Sequence, residues 1–159
     1  MNFAIACAAS SFRGVFIHGV LDAFNRGGLK PNAYSGASSL SIPIIYASVN
    51  KLEKLNSVDY WKMRVHGVKE FNFDMSACIK IGIDLAIPDF IDDLFSDEAT
   101  RLMIGVSKVV TETGKEMTQT EKGATKLGRL LMIAANKKDA KWANENLKPL
   151  IFDNKTNNK

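Results

Sequence analysis

The sequence predicts an α/β fold with a mainly parallel central sheet flanked by helices, and three observations carry the prediction. Phe3-Ala4-Ile5-Ala6-Cys7-Ala8 is a continuous apolar run of strand length, the pattern of a strand inside a parallel sheet. A helical pattern follows, and then a second short run that ends in small residues, Tyr34-Ser35-Gly36-Ala37-Ser38-Ser39-Leu40. The order strand, small-residue loop, helix, strand, serine turn, helix is that of a βαβ unit, with both loops at one sheet edge. The chain's 159 residues and 46% hydrophobic content suffice for one domain with a real core. That domain is expected over residues 1–153, with residues 154–159 as a polar, frayed tail.

The elements justify themselves in order. After the first strand, Ala9-Ser10-Ser11-Phe12-Arg13-Gly14 reads as a turn. Val15 to Gly27 shows helical periodicity through Val15, Val20, Leu21 and Phe24, and Gly27-Gly28 closes it. Beyond Pro31, Ala33 to Ser35 forms the second strand, and Gly36 begins the turn. Ser39 to Leu55 is apolar on most sides, at Leu40, Ile42, Ile44, Ile45, Val49 and Leu52, which predicts a central buried helix. Pro43, near its fifth position, removes one N–H and predicts a kink. Val58 to Val65 reads as a short amphipathic helix, His66-Gly67 as a break, Val68 to Phe73 as extended, and Met75 to Ile87 as a helix ending before Pro88.

Asp89 to Leu94 reads as another short helix, whose greasy neighbourhood of Phe90, Ile91, Leu94 and Phe95 forms either a lid over an acyl pocket or a cap closing the core. Arg101 to Val110 alternates into a strand, Thr113-Gly114 is a turn, and Lys115 to Thr120 is expected to return as the partner strand. Leu127 to Ala135 has helical spacing. The lysine-rich run after it continues the helix to about Leu147, before Lys148-Pro149 breaks it ahead of Leu150 to Phe152.

The serine turn carries the candidate chemistry. Gly36-Ala37-Ser38-Ser39-Leu40 is one residue short of the G-x-S-x-G elbow that lifts a serine onto a tight strand-to-helix turn. At that position the Ser38 hydroxyl faces unpaired backbone N–H groups and the positive end of a helix dipole, which stabilise developing negative charge. A serine between small residues at a helix start is also a plain N-cap.

Two motifs, in order, give the sequence its resemblance to the patatin-like phospholipase family. The family's G-G-G-x-R-G loop is similar to Ala9-Ser10-Ser11-Phe12-Arg13-Gly14, continued by His18-Gly19-Val20-Leu21. Its G-x-S-x-G turn is similar to Gly36 through Leu40, continued by Ile44-Ile45-Tyr46-Ala47-Ser48. Leu102 to Gly114, ending Thr111-Glu112-Thr113-Gly114, looks like a later strand and turn of the family. The resemblance implies a three-layer sandwich, incomplete at its C-terminal end. It also implies a serine acyl hydrolase acting on a lipid or another ester, without a cofactor or metal. Ser38 would be the nucleophile, and Ser10, Ser11, Arg13 and Gly14 would supply or border the oxyanion loop.

The chain departs from the family pattern at decisive points. Ala9, Ser10 and Ser11 stand where the family has glycines, and Leu40 stands where it has the last glycine of the elbow, a place where leucine would obstruct the acyl site or push the helix outward. The family's general base is an aspartate in a D-G-G or D-G-A turn, and no aspartate after Ser38 is followed by glycine; Asp153, the last, is followed by Asn154. A base would have to come from outside this segment. Two readings therefore stand: a serine acyl hydrolase, and a catalytically silent scaffold of the same ancestry that binds a lipid or a protein.

Composition narrows the field further. The net charge of +4 and pI near 9.1 come from lysines spread along the chain, which suits a solvated surface and leaves attraction to anionic lipid open. No Lys/Arg face lies beside base-stacking aromatics, so a nucleic-acid role is not expected. The acid cluster Asp89, Asp92, Asp93 lacks the calcium-loop pattern. Cys7 and Cys78 sit in apolar segments without C-x-x-C spacing, as in a reduced cytoplasmic protein. The first apolar run lacks the basic flank of a signal peptide, and no stretch has the length of a membrane span. Membrane contact, if any, is expected to be peripheral. Neither His18 nor His66 has a partner that suggests a Ser–His–Asp triad.

Overall fold

The structure, a computed structural model, describes residues 2–8, 14–57, 91–137 and 140–156. The expectations for Val58 to Phe90, including Cys78, His66 and Asp89, lie outside the described residues, as do those for Ser10, Ser11 and Arg13.

The chain folds as α/β. Four strands, β1 (Ala4–Cys7), β2 (Ala33–Ala37), β3 (Arg101–Val109) and β4 (Leu147–Asp153), form one sheet in the order β1-β2-β3-β4. The first three are parallel, and β4 runs antiparallel to β3 at the edge of the sheet formed by the described residues. Helix α1 (Gly14–Arg26) joins β1 to β2, and α2 (Ser41–Ser48) follows β2. The two helices touch each other, and α2 lies against β2 and β3.

Register explains which residues form the core. Ile5, Tyr34 and Leu102 stand side by side across β1, β2 and β3, and so do Cys7, Gly36 and Ile104 two residues further on. Successive strand residues point to opposite faces, so these rows share the face covered by α1 and α2. Leu21, Leu40, Ile42, Ile44, Ile45, Leu52 and Leu55 pack onto them. On the other face the β1 and β2 positions are small: Ala4 and Ala6 are exposed, and Ala33, Ser35 and Ala37 are half-buried.

Both central helices end by the same device. In α1, the Leu29 N–H donates to the Phe24 carbonyl at 2.9 Å and Gly28 N–H to Asn25 at 3.1 Å, with Gly28 at φ 70°. In α2, Lys51 N–H donates to Tyr46 at 2.9 Å and Asn50 N–H to Ala47 at 3.2 Å, with Asn50 at φ 55°. Each left-handed residue turns the chain back so that two otherwise unpaired carbonyls are satisfied. The expected helix from Ser39 to Leu55 is thus three pieces: a 3-10 turn Ser38–Leu40, α2, and a 3-10 turn Leu52–Leu55. Pro43 falls in the first turn of α2 and not mid-helix. There its missing N–H has no intrahelical partner to lose, so it makes no kink.

Further corrections concern the second half. Lys115 to Thr120 is not a strand. Thr111 Oγ1 accepts from Gly114 N–H at 3.3 Å and starts helix α3 (Glu112–Thr118), with Glu112 in the favourable first turn. Helices α4 (Glu121–Lys137) and α5 (Ala140–Asn146) follow, and the antiparallel partner of β3 is β4, which begins at Leu147. The Val110 N–H donates to the Asn146 carbonyl at 3.0 Å where the chain leaves β3 and returns to β4.

The expected frayed tail starts with a fully buried residue. Asn154 Oδ1 accepts from Leu102 N–H at 2.7 Å, its Nδ2 donates to the carbonyls of Leu94 at 2.8 Å and Thr100 at 3.2 Å, and its own N–H donates to Leu102 at 3.1 Å. Lys155 Nζ donates to the Ser96 carbonyl at 2.8 Å. The segment before β3, with a 3-10 turn Asp92–Phe95, is therefore sewn to the entrance of the sheet. Its place rules out the described residues 91–100 as a lid: they sit where β3 begins, and the serine turn lies where β2 ends.

Candidate active site

The site is assembled at the C-terminal edge of β1 and β2. Strand β2 runs extended through Ala37 (φ −148°, ψ 161°), and the next residue, Ser38, has φ 60°. Ser41 N–H then donates to the Ser38 carbonyl and the helix is under way. An extended residue, one left-handed residue and a helix start make the sharp strand-to-helix turn that presents a side chain outward. Sequence placed the turn at Gly36; the strand in fact runs through Gly36 and Ala37, and the turn is Ser38 itself. Among described residues other than glycine only Ser38 and Asn50 have positive φ. Asn50 closes a helix, whereas Ser38 opens one.

Ser38 is exposed, and its hydroxyl has no hydrogen-bond partner among the described residues. It is not an N-cap: the residue capping the 3-10 turn is Ala37, the one capping α2 is Leu40, and neither end has a side-chain cap bond. The Ser39 and Leu40 amides precede the first intrahelical bond, so neither has an intrahelical acceptor.

The neighbours explain why these residues are small or apolar. A Cβ on Gly36 would stand 2.8 Å from Ile44 Cδ1 and 3.4 Å from Cys7 Cβ, so α2 seats closely on β2 and a larger residue there would make the Ile44 side chain move. Leu40 is 2% exposed and belongs to the core. It neither obstructs the space over Ser38 nor pushes the helix outward, because the 3-10 geometry turns it inward.

Gly14, buried, starts α1 at the same edge as Ser38, and α1 touches the Ser38–Leu40 turn. Beneath the turn, burial raises the Cys7 thiol above its ordinary pKa. Tyr34 is raised too, by burial first and then by the charge of Cys7. Both are neutral at physiological pH.

The one acid the sequence singled out is elsewhere. Asp153 stands opposite Met103, itself opposite Ser35, on the sheet face away from α2. It takes hydrogen bonds from Arg101 Nη2 at 2.6 Å and Nε at 3.1 Å. The Arg101 guanidinium, then the Lys155 N–H, hold its carboxyl below the usual range. A cavity of about 30 Å³, lined in part by Leu21, Tyr34, Ala47, Asn50 and Thr100, lies at the opposite end of the sheet and has room for one water. Sequence reasoning missed the Arg101–Asp153 pair and the Asn154 clamp; the only local signal was the strand-to-turn step at Phe152-Asp153-Asn154.

No protein-family model, curated protein or solved structure matches the chain.

Proposed function

We propose that the chain is a patatin-like serine acyl hydrolase, built on that family's three-layer sandwich plan and acting on a lipid or another carboxylic ester through Ser38. The observation that carries the reading is the left-handed backbone of Ser38 between β2 and α2, with its hydroxyl exposed and without a hydrogen-bond partner among the described residues. Ser38 Oγ attacks the ester carbonyl, forming a C–O bond while its proton passes to a base supplied from outside the described residues, which then returns it to the departing alcohol. The oxyanion meets the Ser39 and Leu40 N–H groups ahead of α2. Collapse expels the alcohol and leaves an acyl-serine, which water then cleaves.

A second reading, a silent scaffold that binds lipid or protein, is favoured by one specific observation. Asp153 is engaged by Arg101 away from Ser38 and cannot take the proton. A fluorophosphonate probe separates the two. The hydrolase reading expects a covalent adduct on Ser38, found by peptide mass mapping and absent in Ser38→Ala. An unlabelled, folded wild-type chain supports the scaffold instead.

A further inference from the structure

Beyond Gly105, which pairs with Ala37, β3 has no β2 partner among the described residues and continues only with β4. On the face shared with α2, this ribbon carries a ladder of directly opposed pairs. Ile104 pairs with Phe152, next Val106 with Leu150, and next Lys108 with Lys148. The first pair joins the core edge: Ile104 packs on the core and Phe152 stands edge-to-face with Phe95 at 6.1 Å. The second is open, with Val106 42% and Leu150 49% exposed. The third is two exposed ammonium groups, neither with an ion-pair partner among the described residues. Val106 comes one residue after the partner of Ala37, so the open pair is level with Ser38. At the same edge the first turn of α1 exposes Val15 and Phe16, the latter 69% exposed.

Two features of this arrangement call for an outside partner. Like charges placed directly opposite on a sheet repel, so the Lys108/Lys148 pair is unfavourable until an anion lies over it. Large apolar side chains beside those cations gain by leaving water. One chemistry meets both needs at once: lysines whose stems lie along apolar surface and whose heads meet phosphate, with the apolar side chains inserted between acyl chains.

We propose that the Val106/Leu150 and Lys108/Lys148 steps of the β3–β4 ribbon, with Phe16 of α1, form a docking surface for an anionic lipid bilayer. The ribbon lies on the headgroup layer, the apolar pair and Phe16 enter it, and the two ammonium groups pair with lipid phosphates or carboxylates. Docking holds the Ser38 edge against the lipid. It does not depend on Ser38 being reactive.

The test is vesicle flotation of the full chain, on phosphatidylcholine alone and on phosphatidylcholine mixed with phosphatidylserine. The proposal expects flotation with the mixed vesicles and little with the neutral ones. The double variant Lys108→Gln/Lys148→Gln lowers partitioning about thirtyfold, roughly fivefold for each cation removed near an anionic surface. Phe16→Ser lowers it about tenfold. Lys122→Gln/Lys126→Gln, which removes two exposed cations from α4, leaves it within about twofold. Equal loss in the α4 variant overturns the proposal in favour of diffuse charge attraction. Wild-type flotation insensitive to the ribbon and Phe16 variants overturns it outright. Self-association in sedimentation velocity that Phe16→Ser abolishes, without flotation, assigns the surface to a second copy of the chain and also overturns it. Fluorophosphonate labelling of Ser38, measured without vesicles, reports separately on the hydrolase reading.

Discussion

Ser38 holds a left-handed backbone conformation that glycine would hold more easily, at a cost of about 1–2 kcal/mol for a residue with a Cβ. Ser38→Gly is therefore expected to be more stable than Ser38→Ala by about 1 kcal/mol in urea unfolding, once the greater freedom of glycine in the unfolded chain is subtracted. Equal stabilities would mean that the turn carries no strain. Asp153 gives a residue-scale prediction of pH dependence. Its folded pKa lies below the ordinary 3.8, so its contribution is fully present above that value and disappears as pH falls through the lower folded one. The unfolding midpoint should drop on acidification below about pH 4, and Asp153→Asn should flatten that part of the profile. At this scale the sequence displayed Ser38 and Gly36, because a left-handed turn and a close helix approach leave small residues behind. It hid Asn154, whose partners Leu102 and Leu94 are 52 and 60 residues away.

Elements were legible where periodicity and end signals agreed. β1, α1 with its Gly28 close, and β3 stand within a residue or two of their expected bounds. Lys115 to Thr120 does not return as a strand because Thr111 followed by Glu112 starts a helix, a signal that reading Thr113-Gly114 as a turn passes over. The long helix expected after Ser38 was cut short because Asn50 takes a conformation usually left to glycine, which an apolar pattern does not register. Packing between elements yields an ordered pair of predictions. A Cβ on Gly36 meets the movable end of Ile44, whereas one on Gly123 would stand 2.2 Å from the Met117 carbonyl oxygen, which is backbone. Gly36→Ala should cost about 1 kcal/mol and Gly123→Ala about 3 kcal/mol or more in thermal unfolding, since only the first contact relaxes by a rotamer change. The reverse order would contradict the seating of α4 against α3.

For the whole molecule, the α/β class was readable because three parallel strands need crossovers, and the first crossover is written plainly between Cys7 and Ala33. How the last strand returns was not readable, since antiparallel pairing between residues as far apart in the chain as Ile104 and Phe152 leaves no local mark. Asn154 fastens that return, and Asn154→Ala should lower global stability by about 3 kcal/mol by orphaning one buried amide and two carbonyls. The bond from Val110 to Asn146, together with Thr111 Oγ1 donating to Asn146 Oδ1 at 3.2 Å, has its own consequence. It pinches the chain into a neck, and α3, α4 and α5 hang beyond it as an appendage with their closest contacts among themselves. Such a unit can open while the sheet stays closed. Amide hydrogen exchange should then report a lower opening free energy for residues 112–137 than for β2 and β3. The same neck offers a grafting point, where a foreign hairpin could replace the three helices without disturbing Ser38.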